Sequence, residues 1–163
     1  MTDAAPEIFV ALEQSSFAAA VRQSLWLYPA ANVGHIVALT FFAGAVAVID
    51  VRLLGGLAAT SPAFLLARAR SFAVAALGGM AVTGCVLFSA EASHIALNPA
   101  FQLKAALVAA GLINVAIYEF WAKRTVERLV PGATMPARAK VAGVLSLGIW
   151  VAVAACGRSI AYF

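Results

Sequence analysis

Four long apolar runs, at about Leu27 to Leu54, Ser71 to His94, Phe101 to Trp121 and Val141 to Phe163, constrain this chain more than anything else in it. A helix needs about 20 mainly apolar residues to cross ~30 Å of hydrocarbon, and each run reaches that length. Water could not dissolve them: 64% of the 163 residues are hydrophobic and 11% are charged, against roughly 25% charged in a soluble domain. The sequence therefore predicts an all-α fold, an integral membrane four-helix bundle. Residues 1–163 form one domain, because four spans leave no length for a soluble module.

Ahead of the first run, residues 8–22 set Ile8, Leu12, Phe17 and Ala19 among Glu7, Glu13, Gln14 and Arg22. This pattern predicts an amphipathic N-terminal helix lying at the membrane interface before a Trp26 and Tyr28 anchor. The start, Met-Thr-Asp-Ala-Ala-Pro-Glu, is acidic, so no cleaved signal peptide is expected. Glycine and proline mark the links at Gly55-Gly56 to Ser61-Pro62, at Asn98-Pro99, and between Arg124 and Lys140.

The net charge of +4 sits in these links, where it reports topology and gives no nucleic-acid footprint. Arg52, Arg68 and Arg70 flank the first link and Lys123, Arg124, Arg128, Arg138 and Lys140 the third. The other side carries only Arg22, Lys104 and Arg158. By the positive-inside rule both termini face outward, periplasmic if the membrane is a bacterial inner membrane. No internal repeat of a transporter kind is visible, and no phosphate loop, zinc helix or nucleophile elbow appears.

A charge within a span costs about 2.5 to 3.5 kcal/mol on insertion scales, so the few present are candidates for function. They are His35, Asp50, Arg52, Glu91, His94, Lys104, Glu119 and Arg158. Counting from the basic markers gives their depth. His35 stands 17 residues before Arg52, Lys104 stands 19 before Lys123, and Arg158 stands 18 after Lys140. At 1.5 Å per residue these lie ~26, ~28 and ~27 Å from the inner side, with Glu91 at ~31 Å. One histidine, one carboxylate and two cations from four spans are thus expected to share an outer layer. The competing reading is that Lys104, Glu91 and Arg158 snorkel to the headgroups.

A short imidazole inside a span is harder to explain by snorkelling, and neutral imidazole is a common axial ligand of haem iron. The sequence supports a b-type haem on His35, with Lys104 and Arg158 available to its propionates and the small-residue stretch Gly78-Gly79-Met80-Ala81-Val82-Thr83-Gly84 for the ring. His94 is the other histidine and the candidate second ligand, although it counts ~10 Å higher than His35. The alternative metal is copper: Cys85 and Cys156 come to ~22 and ~24 Å, near His35, and two thiols with an imidazole suit Cu(I). Asp50 and Arg52 close the first span and read as structural groups that hydrogen-bond to neighbouring helix ends, with an inner-side polar site as the alternative, and Glu119 reads as an i,i+4 partner of Lys123.

The segment Tyr28-Pro29-Ala30-Ala31-Asn32-Val33-Gly34-His35, continuing to Asp50-Val51-Arg52-Leu53-Leu54-Gly55, resembles an uncharacterised family of small bacterial four-helix membrane proteins. So do Thr83-Gly84-Cys85-Val86-Leu87-Phe88-Ser89-Ala90-Glu91 and Asn98-Pro99-Ala100-Phe101-Gln102-Leu103-Lys104. At greater distance, His35, Arg52 and Lys104 look like the copper-resistance D and HemJ-type membrane proteins. The first likeness implies copper handling. The second implies a haem-associated bundle with His35 as ligand and Lys104 in the site, and this chain departs from it in having Ile117-Tyr118-Glu119-Phe120-Trp121 where a late histidine stands. The expectation is a membrane haem protein in electron transfer or redox chemistry, partnered by a quinone or a periplasmic redox protein. Copper transport or tolerance, and an accessory subunit in a homo- or hetero-oligomer, are the alternatives.

Overall fold

The structure is a computed structural model that describes residues 5–162. Residues 1–4, on which the acidic start was read, and Phe163, the end of the fourth expected span, lie outside them. The described chain is helical, without a strand. In order come α1 (Glu7–Glu13), α2 (Ser16–Gln23), α3 (Leu27–Leu53), α4 (Pro62–Ala90), α5 (Ala92–Leu97), α6 (Pro99–Trp121), α7 (Lys123–Glu127) and α8 (Ala137–Ser159). Four of these, α3, α4, α6 and α8, are long and apolar enough to cross a membrane. At 23 to 29 residues each, they extend ~35 to 44 Å. Their outward faces carry side chains that water would not tolerate, such as Phe72 at 65% exposed and Val82 at 67%.

Local chemistry sets the ends, and in three places it differs from the expectation. The single N-terminal helix is two, because Ser15 turns extended and its Oγ accepts the Ala18 N–H at 3.2 Å, capping a fresh helix. The second long helix begins at Pro62 rather than near Ser71, with proline in its first turn after an extended Ser61. Arg68 and Arg70, read as loop markers, therefore ride on α4. Arg68 lies over the Phe64 ring at 5.6 Å, and Arg70 pairs with Glu119 at 2.6 Å. At its far end α4 breaks at Glu91, so His94 belongs to the short α5 and not to the span. Asn98 then starts α6 by accepting the Ala100 and Phe101 N–H groups at 2.9 and 3.3 Å.

The first and third links meet at one end of the molecule, where the Gly132 N–H donates to the Ala58 carbonyl at 2.7 Å. There α3 stops on Gly55, at φ +106°, which a side chain would strain, and Gly56 N–H closes the turn on the Val51 carbonyl at 2.8 Å. Arg52, fully buried, donates to the Gly56 and Thr60 carbonyls of this turn. That is the structural role its position predicts.

Within the bundle α3 packs on α4 and α8, and α6 packs on α8, whereas α4 and α6 have no packed interface with each other. The order across the bundle is thus α4, α3, α8, α6. Missing side chains make the close approaches possible. A Cβ on Gly111 of α6 would fall 2.9 Å from the Trp150 indole of α8, which itself meets Phe42 edge-on at 4.6 Å. Overpacking of this kind typically costs about 1–3 kcal/mol. Gly111→Ala is accordingly expected to lower the resistance of the purified protein to denaturant by that amount, read by the circular dichroism of its helices.

Candidate functional site

His35 occupies α3 opposite the small residues of α4. A Cβ on Gly34 would lie 3.3 Å from Thr83 Cγ2, and one on Gly84 would lie 3.4 Å from His35 Cε1. The two backbones approach closely enough for the imidazole to rest on α4. Its Nδ1 stands 2.9 Å from Thr83 Oγ1. The Thr83 hydroxyl owns a single proton, and the Gly79 carbonyl at 2.7 Å and the Met80 carbonyl at 3.3 Å, one turn back, are placed to take it. With its proton given to its own helix, Thr83 accepts from the ring, which assigns the hydrogen to Nδ1 and leaves Nε2 its lone pair.

Lys104 approaches from α6. Its ammonium sits 3.5 Å from where a Gly157 Cβ would be, within electrostatic reach of His35 and of Cys156 on α8. Three helices in addition to α4 thus place an imidazole, an ammonium and a half-buried thiol in one neighbourhood. The geometry offers a neutral nitrogen donor with a cation beside it.

The other expected members of the layer point elsewhere. Glu91 is exposed at the α4–α5 break. His94 is exposed on α5, near Glu13. Arg158 is exposed, and its guanidinium lies 4.7 Å over the Tyr162 ring while donating to the Tyr162 hydroxyl. Cys85 is exposed on α4. Among the described residues no three His, Cys, Asp or Glu side chains converge as a metal would require, so Cys85, Cys156 and His35 do not form one set of ligands. Counting along a helix gives the height of a side chain but not the direction in which it faces.

At the opposite end Asp50 is only 1% exposed, yet it does not pair with Arg52. Two residues apart on a helix point to different faces: Arg52 closes the turn, and Asp50 turns inward. Glu119 binds Lys123 at 2.7 Å, the expected i,i+4 pair, and also takes Arg70. Asn114 and Tyr118 carry no role in the sequence pattern, and Thr83 enters it only within the small-residue stretch of α4. A hydroxyl or amide in mid-span was the available signal, and Asn114 uses its amide to donate to the Ala142 carbonyl of α8 at 3.0 Å.

Near the chain start, the Glu13 carboxylate accepts the Ser93 N–H at 2.8 Å and the Ser93 hydroxyl, which fastens α1 to α5. These bonds hold its pKa below the ordinary carboxylate value. A depressed carboxylate stabilises above its unfolded pKa and loses that contribution as pH falls through the folded one. The α1–α5 contact should therefore be constant near neutrality and loosen below the ordinary carboxylate range. Hydrogen exchange of α1 should show this, and Glu13→Gln should remove the pH dependence.

A family model matches residues 15–163, from the α2 cap through all four long helices. The chain belongs to the family of unknown function DUF6644. The matched segment contains every residue of the His35 neighbourhood and leaves α1 outside. No curated protein matches the chain, and no solved structure does.

Proposed function

We propose that this DUF6644 protein is a four-helix bundle of a bacterial inner membrane that holds a b-type haem through His35 and serves electron transfer or membrane redox chemistry. The observation that supports this reading most is His35 Nδ1 at 2.9 Å from Thr83 Oγ1, which itself lies 2.7 Å from the Gly79 carbonyl, an arrangement that suits an Nδ1–H tautomer with Nε2 as the metal-binding nitrogen. A metal-bound histidine almost always gives its second nitrogen to such a partner, which sets both tautomer and ring orientation. The topology agrees with an outward site. Arg124, Arg128, Arg138 and Lys140 gather at the end where the first and third links meet, which the positive-inside rule makes cytoplasmic. Both termini are then outward. α1 and α2 lie at the outer interface, with Leu25 and Trp26 exposed as anchors.

The residues fit a haem in part. His35 fits as axial ligand, and Lys104 fits as a cation for a propionate, since an ammonium held inside a span needs an anion. His94 does not fit as the second axial ligand, because it is exposed on α5, and Arg158 is engaged by Tyr162. When bound, the haem would supply one-electron chemistry. The chain's own part is to present Nε2, to hold the ring through Thr83, to place one positive charge beside it, and to keep water out along the α3–α4 seam. A quinone in the bilayer or an outer redox protein is the natural partner. Titrating haemin into the detergent-purified protein tests the reading: a Soret band saturating near one haem per chain supports it, and a featureless, unsaturable response refutes it.

A further inference from the structure

A cavity of about 160 Å³ lies toward the inner half of the bundle, between α3, α4, α6 and α8. Most of its wall is apolar, including Phe42 and Trp150, but Asp50, Asn114, Tyr118 and Ser146 also line it, with the paired Arg70 and Glu119 at its inner end. Two of these are orphans. Asp50 is 1% exposed and Tyr118 is 7% exposed, and neither the carboxylate nor the phenolic hydroxyl makes a well-formed hydrogen bond, Ser146 being the polar side chain beside Asp50. Buried polar groups are nearly always satisfied, so unpartnered ones on a cavity wall mark where a ligand completes the structure.

The surroundings say how a ligand would arrive. α4 and α6, which flank the cavity, are joined at the inner end by the Arg70–Glu119 pair at 2.6 Å and at the outer end by Phe88 stacked on Phe101 at 5.3 Å. Between these bridges the helices have no packed interface. The residues there, Val74, Leu112 and Val115, line the cavity and are also 63%, 47% and 44% exposed on the outside. The opening is a lateral window with apolar edges, facing lipid and not water.

Size and polarity limit what enters. An apolar cavity of ~150 Å³ accommodates one benzene ring, so this one accepts a single six-membered ring. The orphaned groups require that ring to carry oxygens. We infer that the cavity is the head-group site of a lipid-soluble quinone or its quinol, with the isoprenoid tail leaving between α4 and α6. The Tyr118 hydroxyl donates to a ring carbonyl, Asp50 accepts from a ring hydroxyl, and the ring lies against Trp150. This assignment rests on the cavity alone and stands whether or not His35 holds haem.

Trp150 is also the reporter, because quinones quench indole emission. In a Trp26→Phe/Trp121→Phe background Trp150 is the one tryptophan left of three. The full chain in detergent is titrated with a decyl-benzoquinone. Saturable quenching is expected, with Tyr118→Phe and Ala73→Leu each weakening binding about tenfold or more, and His35→Ala binding as the parent does. Tyr118→Phe removes one oxygen and Ala73→Leu fills the cavity, so the two do not share a folding defect. Quenching that rises linearly without saturation, or equal affinity in Tyr118→Phe, overturns the assignment and leaves water or lipid as the cavity's content.

Discussion

His35→Ala is expected to purify with essentially no haem and no Soret band, while keeping the helical circular dichroism of the parent. The imidazole contributes the one free nitrogen donor of its neighbourhood and little to the fold, since it is half-buried and rests on Gly84. Thr83→Val separates ligation from orientation. It keeps the shape of the side chain and removes the oxygen that accepts from Nδ1. Losing such a partner typically lowers affinity about 10–100-fold, so haem should still bind but dissociate faster. Thr83→Ser, which restores the acceptor, should recover much of the loss. Cys85→Ala should change nothing, because Cys85 faces outward. Full haem content in His35→Ala would remove His35 from the site.

The second large effect is expected at Glu119. This carboxylate lies between Arg70 and Lys123, bonded to both. Arg70 stands two turns inside α4 and is only partly exposed, whereas Lys123 begins α7, beyond the end of α6. Glu119→Leu therefore strands Arg70 next to apolar surroundings, while Lys123 can still reach water. An arginine at a span centre costs about 2.5 to 3.5 kcal/mol on insertion scales. Nearer the helix end a loss of about 1–3 kcal/mol follows, read as earlier unfolding in a denaturant titration of the micellar protein. Removing both charges leaves nothing stranded, so Arg70→Leu/Glu119→Leu should fall closer to the parent than Glu119→Leu alone. A double variant as weak as the sum of the two single ones would mean that the pair does not couple α4 to α6.

Much of the architecture was legible because composition alone forces it. Four runs of this length and apolarity have few places to go except into lipid, and Pro62, Asn98-Pro99 and Pro136 stop or start helices wherever they occur. The start of α4 was misread because Arg68 and Arg70 suggested a loop. A stacked aromatic and an acid on α6 let both residues remain on the helix, and that acid is 49 residues away. The interfacial helix divided at Ser15 for a local reason that the sequence carried, a hydroxyl three residues before a free N–H.

The candidate site was legible in height only. His35 and Lys104 are expected at one level and lie within electrostatic reach of each other. Arg158 was expected there too, but one residue past Gly157 it faces away toward Tyr162. A rise of 1.5 Å per residue is fixed by the helix, whereas the face a residue presents depends on which neighbours the helix packs against. For the same reason Asp50 and Arg52 read alike as structural groups and serve different surroundings, one lining a cavity and the other closing a turn. In the sequence Thr83 is only one of the small-stretch residues of the second span, since a hydroxyl in a span bonds its own helix by default, and the approach of α3 gives it a second partner.

The most direct test of the central claim is the absorbance spectrum of the detergent-purified wild-type chain from haem-replete membranes, oxidised and then dithionite-reduced, with haem quantified as the pyridine haemochrome and copper measured in the same sample. The account predicts near-stoichiometric haem b, a Soret band that shifts on reduction, and copper at background. A colourless protein that takes up no haem would contradict it.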